Sequence, residues 1–181
     1  CTPEEREITE INSSVYLVDN KKLFESLLEI KNNNAQSEYY LTDIVALFIE
    51  KNYKLSAFKA ADYQELSGAN DKLQLAKMET YLQEKIIEKH LLAGVTIHNP
   101  QTVVIGVNAE IEAESTLLPG SIVIGTSKIE KGAIIGPYSE IDNSHIGKGS
   151  TIKYSRIKDS IIGDNKNIGP SAGIDNTVTK I

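Results

Sequence analysis

The stretch SIVIGTSKIEKGAIIGPYSEIDNSHIGKGSTIKYSRIKDSIIGDNKNIGPSAGI, residues 121–174, places an aliphatic residue at almost every sixth position. The same spacing begins upstream of it, and the register slips by one residue at Ile146 and again at Ile157 and Ile162. The aliphatic positions are Ile105, Ile111, Leu117, Val123, Ile129, Ile135, Ile141, Ile146, Ile152, Ile157, Ile162, Ile168 and Ile174. Glycine closely follows many of them. This pattern predicts the hexapeptide repeats of a parallel β-helix.

Geometry explains the period of six. Each hexad supplies one short strand and one turn, and three hexads close a triangular coil of about 18 residues, with the aliphatic side chain pointing inward. Residues 95–181 would then form roughly four to five coils. A β-sandwich is the alternative, but its strands recur at about 8–12 residues rather than six.

The residues before Gly94 are typical of a mixed α/β domain. The apolar run Ser14–Val18 predicts a buried strand. The segment after Asn20 predicts a helix that ends near Lys31, and a second helix is expected over Thr42–Asn52 with Thr42 as its N-cap. The alternation in Tyr53–Ala60 predicts another strand.

A long helix is expected to join the two halves. Asn70 or Asp71 can cap its start, and Gly94 is a favourable stop. From Asn70 to Ala93 this helix would measure about 36 Å at 1.5 Å per residue. The predicted organisation is therefore a domain over residues 1–69, a connecting helix over 70–94 and a β-helix over 95–181.

Composition limits the classes of function. The chain has 181 residues and a net charge of −6, which argues against a nucleic-acid or anionic-membrane partner. No apolar run reaches the length of about 18 residues that a membrane helix requires. The single cysteine, Cys1, suits the reducing cytoplasm. Since the only methionine is Met78, we expect the chain to begin inside a longer protein.

The histidines do not predict a metal site. His90 falls in the long helix, where we expect it to face solvent. His98 and His145 are 47 residues apart, and no carboxylates are spaced around them as metal ligands would be.

Four motifs in the first half occur in an order that indicates a family. They are EINSSVY (10–16), NNNAQSEYYLTD (32–43), GANDKLQL (68–75) and EKHLLAGV (88–95). With the hexapeptide repeats, they closely resemble the bacterial bifunctional N-acetylglucosamine-1-phosphate uridylyltransferase/glucosamine-1-phosphate acetyltransferases. The resemblance covers about residues 10–170, and NNNAQSEYYLTD is its most specific part.

The resemblance implies a fold and two activities. The fold is α/β, a partial Rossmann-like nucleotidyltransferase domain joined by a long helix to a left-handed parallel β-helix. The family's first domain joins UTP and N-acetylglucosamine 1-phosphate, with Mg²⁺, to give UDP-N-acetylglucosamine and pyrophosphate. Its β-helix acetylates glucosamine 1-phosphate with acetyl-CoA. Family members are cytoplasmic homotrimers.

The resemblance also assigns site residues. Asn12 matches the asparagine that contacts the amino sugar, and Tyr40 and Thr42 match residues on the sugar side of the pocket. Asn70 matches an asparagine that helps to hold Mg²⁺ near the substrate. The motif glycines of the family are replaced here by Ser14 and Ser37, which have less backbone freedom than glycine.

Other parts of the family pattern do not occur in these 181 residues. They include the Gly-rich nucleotide loop, the metal-binding Asp, an Arg expected after Pro170, and the catalytic His of acetyl transfer. We therefore assign no catalytic residue here, and we expect this chain by itself to catalyse neither reaction. The alternatives are another sugar-1-phosphate nucleotidyltransferase with a β-helix tail and a non-catalytic β-helix module that trimerises.

Overall fold

The computed structural model describes residues 5–10, 12–34 and 36–179. The chain divides into two compact units, Cys1–Gly68 and Ala69–Ile181. Within the described part of the chain, no helix is both long enough and apolar enough to cross a membrane.

The second unit is a parallel β-solenoid that resembles a left-handed β-helix, preceded by one long helix. Its strands are two or three residues long. They are β1 Thr96–Ile97, β2 Val104–Ile105, β3 Glu110–Ile111, β4 Thr116–Leu117, β5 Ile122–Ile124, β6 Lys128–Ile129, β7 Ile134–Ile135, β8 Glu140–Asp142, β9 His145–Ile146, β10 Thr151–Ile152, β11 Arg156–Lys158, β12 Ile161–Ile162, β13 Asn167–Ile168 and β14 Gly173–Asp175.

Each strand pairs in parallel with the strand three positions along the chain. The described strands form three sheets, ordered β1-β4-β7-β10-β13, β2-β5-β8-β11-β14 and β3-β6-β9-β12. A coil therefore consists of three strands, and the described residues contain four complete coils and two strands of a fifth. The predicted hexapeptide solenoid is confirmed.

The predicted aliphatic positions fill the interior of the prism. All thirteen lie in strands β2 to β14. The first eleven are buried, and Ile168 and Ile174 are partly buried and packed against the same core. Equivalent positions stack in register, as in the pairs Ile135–Ile152 and Ile152–Ile168. Because each buried Ile removes its side chain from water, it contributes about 1.5–3 kcal/mol to the fold.

Buried serines form a second inward-facing set that the sequence analysis did not predict. They precede the aliphatic residue by two positions. They are Ser115, Ser121, Ser127, Ser139, Ser144, Ser150, Ser155 and Ser160. Ser144 illustrates their role, since its hydroxyl donates to the carbonyl of Asp142 at 2.7 Å and accepts the backbone N–H of Ser160 at 3.0 Å. The serines therefore satisfy backbone groups at the corners of the coils.

One corner of the prism carries an aromatic stack. Tyr138 and Tyr154 lie in successive coils with ring centroids 6.2 Å apart and planes 24° from parallel. Gly120, with φ of +74°, lies at the same corner in the coil before that of Tyr138. A Cβ on Gly120 would lie 2.5 Å from Cδ1 of Tyr138, so only glycine leaves room for the ring.

Helix α3 covers Lys72–Leu92 and confirms the predicted long helix, although it begins two residues later than expected. The Asp71 carboxylate caps its start by accepting the Gln74 N–H at 2.7 Å. At its end, Gly94 has φ of +89°, and the Val95 N–H donates to the His90 carbonyl. These bonds form the glycine-dependent stop that ends many helices.

Helix α3 is joined to the first coil of the solenoid. The Gln83 side chain pairs with both backbone groups of Ile105, accepting its N–H at 3.1 Å and donating to its carbonyl at 3.0 Å. Ile87 belongs to the same buried cluster as the solenoid interior. Gln83 thus satisfies the backbone of strand β2 on the side that has no neighbouring strand in its sheet.

The expectation that His90 faces solvent was wrong. His90 is only 6% exposed, because the last turns of α3 lie against the solenoid. Burial lowers the pKa of its imidazole below the ordinary value of 6.5, and the charge of Lys89 acts in the same direction.

We expect the free energy of unfolding to fall as the pH decreases below about 6.5, because the unfolded chain then binds a proton that the buried His90 resists. The contribution is fully present above that pH and is lost as the pH falls through the lower pKa of the folded state. Urea denaturation of the wild type and His90→Gln between pH 5 and 8 measures this difference. His98→Gln, at an exposed position, should keep the wild-type pH profile; a His90→Gln profile parallel to wild type would contradict the expectation.

The first unit contains helices α1, Asn20–Leu27, and α2, Ile44–Glu50. The Asp19 carboxylate caps α1 by accepting the Lys22 N–H at 3.0 Å. Lys51 links the two helices, since its ammonium group bonds Glu29 at 2.6 Å. Both helices are shorter than predicted.

Three expectations for this unit were wrong. Thr42 is not the N-cap of α2, because it lies inside a short 3₁₀ helix, Leu41–Asp43, that precedes α2. No strand is found at Ser14–Val18 or at Tyr53–Ala60 among the described residues. Val15 and Leu17 are exposed rather than buried. An apolar run becomes a strand only where another strand pairs with it, and the described residues of this unit provide none. Residues 5–10, 12–34 and 36–68 therefore form no Rossmann-like sheet.

Candidate functional site

The loop that carries Asn12 is held by the asparagine itself. Its Oδ1 accepts the backbone N–H of Ser14 at 2.8 Å, and its Nδ2 donates to the hydroxyl of Tyr16 at 2.7 Å. Asn12 is exposed. An amide has two donor hydrogens and two acceptor lone pairs, so one donor and one acceptor remain for a ligand.

Ser14 and Ser37, which the resemblance matches to family glycines, both have positive φ. Ser14 has φ of +61° and Ser37 has φ of +55°. This left-handed region costs an ordinary residue about 1–2 kcal/mol. Hydrogen bonds hold both turns, since the Ser14 N–H bonds Asn12 and the Ser37 N–H donates to the Asn34 carbonyl at 3.1 Å. Each of the two turns is therefore held by a hydrogen bond from the N–H of its serine.

Asn34 organises the loop before Tyr40. Its Oδ1 accepts the N–H groups of Gln36 and Glu38 at 3.2 and 3.1 Å, and its Nδ2 donates to the Glu38 carbonyl. The hydroxyl of Tyr40 donates to Oε1 of Gln36 at 2.9 Å, which leaves its oxygen able to accept a further bond. Thr42 follows, exposed, in the 3₁₀ helix. The sequence analysis did not predict this role of Asn34, whose only signal was its place as the third asparagine of the NNN run.

An exposed ion pair borders the Asn12 loop. Lys59 Nζ lies 2.7 Å from Oε1 of Glu10. The hydrogen bond and the charge of Lys59 hold the pKa of the Glu10 carboxyl below its ordinary value. Because both side chains are exposed, the pair contributes little to stability. It does join the segment before Asn12 to the segment after α2.

Asn12, Tyr40 and Thr42 belong to the first compact unit, whereas Asn70 belongs to the second. Asn70 is exposed, and its backbone N–H donates to Oε1 of Gln74 at 2.8 Å. Since Asp71 caps α3, the Asn70 side chain is not needed for that task.

The described residues do not fit a complete Mg²⁺ site. Mg²⁺ is held by oxygen ligands, usually carboxylates together with substrate phosphates. Among residues 5–10, 12–34 and 36–179, no three His, Cys, Asp or Glu side chains form a group that could hold a metal ion. Asn70 offers one neutral oxygen, and the neighbouring Asp71 already accepts a helix N–H.

Two further features of the second unit, a charged cluster and a groove, include none of the predicted site residues. His145 Nε2 lies 2.9 Å from Oε1 of Glu130 on the outer face of the solenoid, with Lys128 3.9 Å from the same carboxylate. An open groove of about 820 Å³ runs between α3 and the first coil, with Ile87 and Val103 in its lining.

Curated relatives match nearly the whole chain. The chain is 42% identical over 174 residues to the bifunctional protein GlmU of a Geobacillus species, which covers 96% of this chain and 38% of that protein. It is also 42% identical over 168 residues to GlmU of Staphylococcus haemolyticus, covering 93% of this chain and 37% of the relative. Over these residues, the chain is similar in sequence to the bifunctional GlmU proteins. It spans less than two fifths of their length.

No protein-family profile matches the chain. Serine acetyltransferase isoform 3 of Entamoeba histolytica is 16% identical and aligns with 89% of this chain and 56% of its own, with a TM-score of 0.29. A likeness of that size carries no argument about function.

Proposed function

We propose that this chain contributes part of an amino-sugar pocket and a β-solenoid to a two-reaction enzyme of UDP-N-acetylglucosamine synthesis. One reaction joins UTP and N-acetylglucosamine 1-phosphate and releases pyrophosphate. The other transfers the acetyl group of acetyl-CoA to the amine of glucosamine 1-phosphate. The identity of about 40% to GlmU proteins over nearly the whole chain carries this proposal. By the same homology, the first unit is a piece of a Rossmann-like domain, and the protein acts in the cytoplasm as a homotrimer.

Asn12 is proposed to bind the amino sugar. Its remaining N–H donor and its remaining acceptor lone pair complement an N-acetyl group, which offers one carbonyl acceptor and one N–H donor. Tyr40 and Thr42 contribute hydroxyls on the same side of the substrate. Since the hydroxyl of Tyr40 already donates to Gln36, it is left to accept a bond from a sugar hydroxyl.

Asn70 is proposed to supply one oxygen ligand to the Mg²⁺ of uridylyl transfer and to lie near the substrate. When bound, the ion neutralises phosphate charge. The other ligands would be phosphate oxygens of the substrates and carboxylates, the groups that usually hold Mg²⁺ in proteins.

The full-length protein that carries this sequence should release pyrophosphate from UTP and N-acetylglucosamine 1-phosphate in the presence of Mg²⁺. The 181-residue chain alone should release no pyrophosphate, because a neutral Asn70 and the sugar-side residues do not position a nucleoside triphosphate. A coupled pyrophosphate assay measures both. Glucose 1-phosphate serves as the control substrate, and a preference for it would favour the rival sugar-phosphate enzyme.

Two outcomes would contradict the proposal. Clear turnover by the isolated chain would show that the sequence holds a complete active site. The other outcome is a full-length protein that is inactive in both reactions. It would release no pyrophosphate from UTP and N-acetylglucosamine 1-phosphate, and no free CoA thiol from acetyl-CoA and glucosamine 1-phosphate. That result would favour the non-catalytic solenoid module.

A further inference from the structure

We propose that Tyr16 is a positioning residue for amino-sugar recognition, acting through the side-chain amide of Asn12. The inference rests on the proposed function, since it assigns Tyr16 a role in the sugar contact made by Asn12. Its basis is the 2.7 Å hydrogen bond from Asn12 Nδ2 to the Tyr16 hydroxyl oxygen. Tyr16 is half-buried, whereas Asn12 is exposed.

The two bonds to Asn12 hold opposite ends of one amide. Oδ1 is fixed by the backbone N–H of Ser14, and Nδ2 is fixed by the phenol oxygen of Tyr16. If the amide rotated by half a turn, its NH₂ group would face the Ser14 N–H, and two donors would oppose each other. The Ser14 N–H therefore selects one orientation of the Asn12 amide, and the bond to the Tyr16 hydroxyl holds the other end of the amide in that orientation.

A fixed orientation matters for binding because ordering a side chain costs free energy. An exposed asparagine without a second anchor would lose rotational freedom when the sugar binds. With both anchors in place, the remaining N–H and lone pair already point in set directions. Loss of the Tyr16 hydroxyl should thus weaken sugar binding without removing a group that contacts the sugar.

Tyr16→Phe isolates this effect, since it removes one oxygen atom and keeps the ring. In the full-length protein, we expect the KM for N-acetylglucosamine 1-phosphate to rise about three- to tenfold, which corresponds to the free energy of one neutral hydrogen bond. The KM for UTP and the thermal midpoint should stay unchanged. Tyr63→Phe, at an exposed tyrosine of the same unit, is the matched control and should leave both KM values unchanged.

A double-mutant cycle with Asn12→Ala separates positioning from a structural role. Asn12→Ala alone should raise the sugar KM more than Tyr16→Phe does, and adding Tyr16→Phe to Asn12→Ala should change nothing further. An equal effect of Tyr16→Phe in both backgrounds, or no effect in either, would overturn the positioning role alone. If Asn12→Ala itself left the sugar KM at the wild-type value, the sugar contact in the proposed function would be contradicted. The proposed role of Tyr16 would then be contradicted as well.

Discussion

Replacing Ile152 by Asp should unfold the β-solenoid, whereas replacing its strand neighbour Thr151 by Asp should leave it folded. Ile152 is fully buried, and it stacks between Ile135 and Ile168 in adjacent coils. The substitution removes about 1.5–3 kcal/mol of apolar burial and places a carboxylate among the aliphatic side chains of the buried core. An unpaired buried charge costs several kcal/mol more, which together approaches the 5–15 kcal/mol that stabilises a typical domain.

Thr151 is the matched control because it belongs to the same strand and points to the opposite face. Circular dichroism and urea denaturation of Ile152→Asp, Thr151→Asp and wild type compare the three. A milder substitution, Ile152→Ala, should cost about 2–5 kcal/mol and keep the protein measurable if the aspartate variant does not express. A folded Ile152→Asp with wild-type stability would show that Ile152 does not line a closed prism.

Replacing Ser144 by Ala should destabilise the solenoid by about 1–3 kcal/mol, although it removes a single oxygen atom. That oxygen accepts the Ser160 N–H at 3.0 Å and donates to the Asp142 carbonyl at 2.7 Å. Ser144 is 3% exposed, so water does not readily replace these bonds. The loss leaves the buried N–H of Ser160 without its acceptor.

Lys148→Ala is the control for Ser144→Ala, since Lys148 lies exposed at a turn of the same coil and should change stability by less than about 0.5 kcal/mol. Thermal and urea denaturation compare the two variants with wild type. Equal stability of Ser144→Ala and Lys148→Ala would show that the serine hydroxyls are not needed for the coil corners.

The solenoid was predictable because its rule is local and repeated. Each inward aliphatic residue lies at a nearly fixed distance from the next, so an error at one position would not hide the period. The buried serines share that period, two positions earlier, and were missed because serine is mostly exposed in proteins. Ser144 and its equivalents can be recognised only when the carbonyls and N–H groups around them have been placed.

The first unit shows where hydrophobic patterns in the sequence fail to predict the structure. Val15 and Leu17 belong to an apolar run that resembles a buried strand, yet both are exposed because strand formation depends on a partner elsewhere in the chain. For the candidate site, resemblance supplied Asn12, Tyr40, Thr42 and Asn70. It did not supply Tyr16, whose role depends on a side-chain contact four residues from Asn12.

Periodicity and helix end signals act over a few neighbouring residues, so the amino-acid sequence was enough to predict the solenoid, its inward aliphatic residues and the long helix. The folded structure was needed to find that His90 is buried, that Gln83 pairs with the backbone of strand β2, and that Tyr16 bonds the amide of Asn12. Burial and side-chain hydrogen bonds depend on which surfaces meet in space, and that is set by packing of the whole unit rather than by local spacing.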